Sequence, residues 1–311
     1  MFDVVTGGAG FIGSHLVDTL VAQGNEVLVI DSLCAGRLDT ISRHIDDYKI
    51  RFVKADLLDD SWQEHLSGAD RVFHLAADPD VKQSAINPDP TMQNNIVATY
   101  RVLEAMRMHK VPEIVFTSTS TVYGDAKVIP TPEDYAPLLP ISVYGASKLA
   151  CEALISSYCH SFGMKSWIYR FANIVGERSG HGVITDFIRK LRENPAELEI
   201  LGDGRQAKSY LEVHECVAAM LFAMRSKDTV NIFNIGSEDW IDVKNIAEIV
   251  VDEMHLKNVN FRFTGGERGW VGDVPRMQLS IDRIKGRRWK PELGSKESVR
   301  MAVRDVLREK E

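Results

Sequence analysis

The chain has 311 residues, 44% of them apolar and 26% charged, the balance of an ordinary globular protein and one that excludes disorder and collagen-like structure. Forty-four acidic against 37 basic side chains leave a formal charge of −7, which argues against a nucleic-acid coat or an anionic-membrane binder. Four cysteines (Cys34, Cys151, Cys159, Cys216) without a C-x-x-C pair or histidines at ligand spacing, no signal-peptide pattern at Met1–Gly8, and no apolar run near the roughly 20 residues that span a bilayer predict reduced thiols, no metal and a cytoplasmic location.

In chain order, Val4–Thr6, Glu26–Ile30, Ile50–Val53, Arg71–Leu75 and Glu113–Thr117 are apolar without period-two alternation. That pattern predicts strands buried on both faces. Between them Phe11–Gln23, Asp59–Leu66, Pro88–His109 and Ser142–Phe162 place apolar residues at three- and four-residue steps, with Gly24 and Gly163 as stops. Lys165–Arg170 predicts a sixth strand. Strand and helix in alternation imply right-handed crossovers and an α/β fold with a doubly wound parallel sheet. Beyond it, glycine-rich turns at 176–182, 201–204 and 265–272 interrupt the pattern, and helices are expected at Val213–Met224, Val243–Met254 and Arg300–Arg308. The expected organisation is a dinucleotide-binding domain over 1–172 plus roughly 208–245, and a smaller mixed α/β C-terminal substrate lobe over 173–207 plus 246–311. No linker or repeat separates them.

Thr6-Gly7-Gly8-Ala9-Gly10-Phe11-Ile12-Gly13 joins the first strand to the first helix. Gly7 permits a tight turn, Gly10 lets the backbone approach a pyrophosphate, Gly13 allows close packing, and the helix N-terminus offers amides to the anion. The second strand runs into Asp31, 24 residues after Gly7, near the offset at which an acid binds the adenosine ribose; its charge favours NAD over NADP. Asp56, after the third strand, either caps the next helix or meets the adenine amino group.

Tyr144 and Lys148, four residues apart, stand one above the other on a helix face. Lys148 and a positive nicotinamide ring would stabilise a phenolate; moving a tyrosine from about 10 toward 7 needs roughly 4 kcal/mol. Tyr144 would then take a proton from a hydroxyl while hydride leaves the same carbon. Upstream, Ser118-Thr119-Ser120-Thr121-Val122-Tyr123-Gly124 clusters hydroxyls at the C-terminal end of a parallel strand, the edge where ligands bind in such sheets.

Together these residues resemble the extended short-chain dehydrogenase/reductase superfamily, in its NAD-dependent nucleotide-sugar epimerase/dehydratase branch. The resemblance includes the glycine turn, Asp31, His74-Leu75-Ala76-Ala77, Asn95, the V-Y-G cluster, Tyr144/Lys148, Arg170 to Gly176, Gly202-Asp203-Gly204 and Gly272-Asp273-Val274-Pro275. It implies a Rossmann fold of extended type, and NAD held by Gly7, Gly10, Phe11, Ile12, Gly13, Asp31, Asp56, Leu57, Leu75, Ala76, Ala77, Asn95, Thr117, Tyr144, Lys148 and Phe171. It also implies catalysis by Thr119, Tyr144 and Lys148. Thr119 and Tyr144 would meet the sugar, and Asn173 its phosphates. Where the branch carries Arg-Asp after the G-D-G turn this chain has Lys208-Ser209, so Lys208 keeps only the charge. Trp270 stands where a second phosphate-binding arginine is usual, with Arg268 as the substitute, and Asp78-Pro79 stand where relatives carry a lysine near the cofactor. The resemblance further implies a homodimer paired through the helices at Pro88–His109 and Ser142–Phe162.

The residues before V-Y-G discriminate among reactions of the branch: dehydratases carry Asp-Glu and decarboxylases a Glu, whereas this chain has Ser120-Thr121. Without a carboxylate there, both reactions lose their acid/base. The expected activity is 4-epimerisation of a UDP-sugar, UDP-glucose/UDP-galactose first, through a 4-keto intermediate with transient hydride transfer to bound NAD. The alternatives are UDP-N-acetylglucosamine or UDP-glucuronate as substrate, Met277 leaving the sugar's substituents open, or a non-catalytic NAD-binding sensor on the same fold.

Overall fold

The computed structural model describes residues 1–270 and 272–309. Six strands carry the first half: β1 (Phe2–Thr6), β2 (Glu26–Asp31), β3 (Ile50–Lys54), β4 (Arg71–His74), β5 (Glu113–Thr119) and β6 (Lys165–Phe171). With Val230–Ile235 they form a seven-stranded sheet in the order Val230–Ile235, β6, β5, β4, β1, β2, β3. β1 pairs in parallel with both β2 and β4, so the order reverses beside the glycine turn, the topological switch point of a doubly wound sheet. Val4, Val5, Val29, Ile30, Val72 and Phe73 are wholly buried, as runs without alternation require.

Helix α1 (Phe11–Ala22) follows the glycine turn. The Val143–Phe162 helix starts on Ser142, whose hydroxyl accepts the Gly145 N–H, and stops at Gly163 in the left-handed conformation (φ +71°). Two expected helices differ. Asp59–Leu66 is reduced to a 3-10 turn over Gln63–Leu66, because the preceding aspartates bond locally instead: Asp56 Oδ1 accepts the Leu58 N–H and the Asp60 carbonyl the Gln63 N–H. Pro88–His109 is a short turn at Asp89–Thr91, a π-helical stretch at Met92–Val97 and a regular helix over Ala98–His109.

The chain divides into two compact units: Met1–Val122, Ser142–Arg170 and Met220–Phe233; and Tyr123–Ile141, Phe171–Ala219 and Asn234 to the C-terminus. The first is built around Val4, Leu28, Trp62, Leu103, Phe116 and Ile155. The second packs the Val183–Glu193, Val243–Glu253 and Ser295–Arg308 helices around Phe187, Leu198, Ile246 and Val303. It takes in 123–141, 208–219 and 234–245, which the expectation placed with the first domain, whereas 220–233 stay with the first unit as expected. Tyr123 donates its hydroxyl to Asn234 Oδ1, Glu133 accepts the Asn234 N–H, Thr131 pairs with Gln278 and Ser280, and the Tyr210 N–H bonds Ser295. The expected lobe's last two residues, and 271, lie outside the described residues. Among the described residues no helix is long and apolar enough to cross a membrane.

Candidate active site

The glycine turn is built to be tight. Gly7 has φ +72°, and a β-carbon on it would sit 2.6 Å from the Ala76 amide nitrogen. A β-carbon on Gly13 would stand 2.2 Å from the Gly7 carbonyl oxygen, so this glycine lets the helix close on the turn itself. Helix α1 opens at Gly10 with no side-chain cap, which leaves first-turn N–H groups, including those of Phe11 and Ile12, for an anion. Asp31 is no helix cap: its carboxylate accepts the Ala9 N–H at 3.0 Å and the Leu33 N–H at 2.8 Å, tying the turn to the end of β2. Gly36, not singled out from sequence, lies against it; a β-carbon there would come within 2.9 and 3.0 Å of the two carboxylate oxygens. This cradle and its carboxylate fit a dinucleotide with a free ribose 2′-hydroxyl.

Of the other residues expected near the cofactor, Asp56 closes a local turn on Leu58, and the Leu57 side chain belongs to the core. Leu75, Ala76 and Ala77 follow β4 half-buried, the first two held by N–H bonds to Thr6. Asn95, in the π-helical stretch, is fully engaged by protein: Oδ1 accepts the Asp78 N–H, and Nδ2 donates to the Asp78 carbonyl and to Ser147 Oγ. These bonds make it a strut between Asp78 and Ser147. Phe171 is buried at the end of β6.

The structure brings Thr119, Tyr144 and Lys148 together. The Thr119 hydroxyl hydrogen-bonds the Tyr144 phenol and favours its ionised form, yet burial outweighs it and, with the Asp78 charge, pushes the phenol up to about 12. The protein's own groups thus hold Tyr144 as the phenol, and Lys148 is not among the main influences on it. Lys148 donates to the Thr117 carbonyl at 2.8 Å and lies 4.6 Å from the centre of the Phe116 ring. Burial lowers it to about 8, against the opposing pull of Cys151 and Glu152. His74 is wholly buried, Nδ1 2.7 Å from Thr6 Oγ1 and Nε2 3.0 Å from Thr99 Oγ1. Desolvation, helped by the Lys148 charge, pushes it down to about 3, so it is neutral, a packed residue rather than a ligand. The Thr121 hydroxyl donates to Thr119, and Ser120 is buried beside it.

In the second unit Asn173 donates its N–H to the Ser209 carbonyl, and its side-chain Nδ2 is buried with no acceptor among the described residues. Lys208, next in line, pairs with Asp273 at 2.6 Å and lies over the Trp270 ring. Arg268 donates to the Asp273 carbonyl and pairs with Asp125 at 2.8 Å. Lys208 and Arg268 are therefore brought together around Asp273, and neither Asp273 nor Asp125 was expected as a partner. Both acids lie far from their cations in sequence, and only the Gly-Asp motif marked one of them.

Comparison with known proteins agrees with this geometry. Residues 4–236 match the family described as NAD dependent epimerase/dehydratase. A putative UDP-glucose 4-epimerase of Methanocaldococcus jannaschii is 34% identical over 307 residues, 96% of each chain. A crystal structure of a UDP-galactose 4-epimerase superposes with TM-score 0.90 at 43% identity over 99% of both chains. A UDP-N-acetylglucosamine 4-epimerase from Methanobrevibacter ruminantium superposes with TM-score 0.88 at 29% identity, covering 99% of this chain and 98% of that one. With the switch-point glycine turn, the acid after β2 and the Tyr-x-x-x-Lys helix in one sheet, the chain belongs to the NAD dependent epimerase/dehydratase family.

Proposed function

We propose that the protein interconverts UDP-glucose and UDP-galactose by epimerisation at C4. The observation that carries this is the grouping of Thr119, Tyr144 and Lys148 at a strand end whose neighbours, Ser120 and Thr121, carry hydroxyls and no carboxylate, the Thr121 hydroxyl bonding Thr119. Dehydration or decarboxylation would draw on a carboxylate at that strand end; exchange of a proton and a hydride at C4 needs only the tyrosine and the cofactor. Bound NAD, the family's cofactor, would supply the hydride acceptor and donor for that exchange.

The chain's own residues do the rest. The Gly7–Gly13 turn and Asp31 hold the dinucleotide. Thr119 orients the sugar hydroxyl, Tyr144 takes and returns its proton, and Lys148 supplies positive charge. Asn173, with its unpartnered amide, and the cations Lys208 and Arg268 take the pyrophosphate. Holding the substrate by its nucleotide leaves the sugar free to present either face. The protein acts in the cytoplasm as a homodimer. UDP-N-acetylglucosamine is the second candidate substrate, supported by the Methanobrevibacter ruminantium enzyme of the same fold.

The test is UDP-galactose given to the purified protein with no added cofactor. UDP-glucose should form, denaturation should release NAD, and Tyr144→Phe should slow turnover about 100- to 10,000-fold. Near-normal turnover by that variant would overturn the mechanism, and turnover of UDP-N-acetylglucosamine alone would move the assignment to the second substrate.

A further inference from the structure

The connection from β2 to β3 has little to hold it. Of residues 32–49 only Ile41 and His44 are buried, so an exposed segment of this kind stays ordered only where its few fastenings place it. One fastening is at the glycine turn. The Ala9 carbonyl accepts the Arg37 N–H at 2.9 Å and shares the Thr40 hydroxyl with the Arg37 carbonyl, at 3.2 and 2.7 Å. Gly36 lies so close that a β-carbon on it would stand 3.1 Å from the Ala9 carbonyl carbon. The other fastening is on α1: His44, in the short Ser42–Asp46 helix, donates from Nε2 to Asp18 Oδ1 at 2.5 Å.

The His44 ring is held at that nitrogen only, because its Nδ1 is buried with no partner among the described residues. An unpaired buried ring nitrogen costs free energy, and an apolar side chain would pack there at less cost. What the histidine adds is its bond to Asp18. Asp18 also meets Arg43 at 2.9 Å, but that guanidinium is 64% exposed against 9% for the His44 side chain, so the histidine is the stronger tie. We propose that the Asp18–His44 pair is a clasp that positions the β2–β3 connection around the adenosine half of the dinucleotide and thereby sets how firmly NAD is retained. Helix α1 supplies the uncapped first-turn amides and β2 supplies Asp31; the connection, pinned at Ala9 and Asp18, joins these two parts and sets the Leu33 N–H and Gly36 against the Asp31 carboxylate. A reaction that returns a hydride to the sugar it came from needs a site that keeps the cofactor between the two transfers. The inference rests on the glycine turn and Asp31 being the dinucleotide cradle, and its readout is binding rather than turnover.

The purified full chain carrying NAD is mixed with isotopically labelled NAD, and the exchange of bound for free cofactor is timed. His44→Leu, which fills the space and loses the bond, should exchange about tenfold faster. His44→Gln, whose amide can still donate to Asp18, should exchange nearly as slowly as the unmodified protein. Asp18→Ala should match His44→Leu, and the double variant should be no faster than either, since the two residues act through one bond. Arg43→Gln should change little. Fragments of the cofactor separate a clasp from a general loosening: competing against labelled NAD, AMP should lose affinity in His44→Leu by the same factor, whereas nicotinamide mononucleotide, which lacks the adenosine half, should keep its own. Exchange at the unmodified rate in both His44→Leu and Asp18→Ala overturns the proposal, and so does equal weakening of the two fragments. Asp31→Ala, measured beside them, tells the two readings apart. Lost AMP affinity there with none lost in His44→Leu faults the clasp alone, and unchanged AMP affinity in Asp31→Ala faults the cradle and the clasp with it.

Discussion

At the scale of single residues, the site consists of groups whose ordinary ionisation is displaced by burial. His74 shows this in its simplest form, because among the described residues no acid pairs with it and it lies between two threonine hydroxyls. A neutral imidazole has one donor and one acceptor nitrogen, and the Thr6 and Thr99 hydroxyls, each able to donate or accept, satisfy both. Held at about 3 when folded and near 6.5 when unfolded, His74 stays unprotonated while the unfolded chain gains a proton. Stability is therefore fully present above about 6.5 and is lost as pH falls toward 3, at about 1.4 kcal/mol per pH unit from this residue. Denaturant unfolding at several pH values should show this slope, and His74→Gln should make it shallower; an unchanged slope would place the acid sensitivity elsewhere. Much of the site was legible at this scale because its signals are local: three glycines at fixed spacing, an acid after a strand, a tyrosine and a lysine one turn apart. Gly36 against Asp31, and Ser118 and Arg170 against Glu152, were not legible. Ser118 and Glu152 are 34 residues apart, and no periodicity encodes which buried polar groups will meet.

At the scale of elements, strands were read well and helix interiors less so. Parallel strands buried on both faces leave an unbroken apolar run, but helix spacing at Pro88–His109 says nothing about a change of winding. The π-helical stretch over Met92–Val97 places Asn95 so that it joins Asp78 to Ser147. At Val183–Glu193 the signal was present and passed over: Ile184, Phe187, Ile188 and Leu191 fall on one face and are all buried, but the flanking glycines suggested an irregular region. The Ala98–His109 and Val143–Phe162 helices carry the next prediction. Tyr158 donates its hydroxyl to Glu104, and Arg107 covers the Phe162 ring. The same helices leave Tyr100, Met108 and Phe162 about half exposed or more, apolar area that the proposed pairing of two copies would cover. If it joins two copies of the chain, light scattering at micromolar concentration should give twice the chain mass, and Tyr100→Glu should shift it toward the monomer. A monomeric mass for the unmodified protein would rule the pairing out.

At the scale of the whole molecule, a chain of net charge −7 must attract a substrate that carries a pyrophosphate, so local cations have to overcome an unfavourable average field. The two cations assigned to this role each face an acid: Lys208 pairs with buried Asp273, and Arg268 with Asp125. These pairs differ in what they cost the substrate. Asp273 is 3% exposed and also accepts the Gly269 N–H, so it is part of the framework that holds Lys208, and its removal would leave that cation unseated. Asp125 is nearly half exposed and meets Arg268 in water-accessible surroundings, where an ion pair is worth about 0.2 to 1 kcal/mol. A pyrophosphate that engages Arg268 has to displace or share that carboxylate. Asp125→Asn should therefore lower KM for the UDP-sugar by up to about fivefold while leaving kcat unchanged, because Asp125 takes no part in the proposed proton transfer. The gain should shrink as salt is added, since screening already weakens an exposed pair. If KM instead rises, Asp125 holds Arg268 in its working position, and competition between carboxylate and pyrophosphate is not how this protein treats its substrate. Arg268→Met in the Asp125→Asn background separates the two cases: under competition it erases the gain, and under positioning it adds little to a loss already incurred.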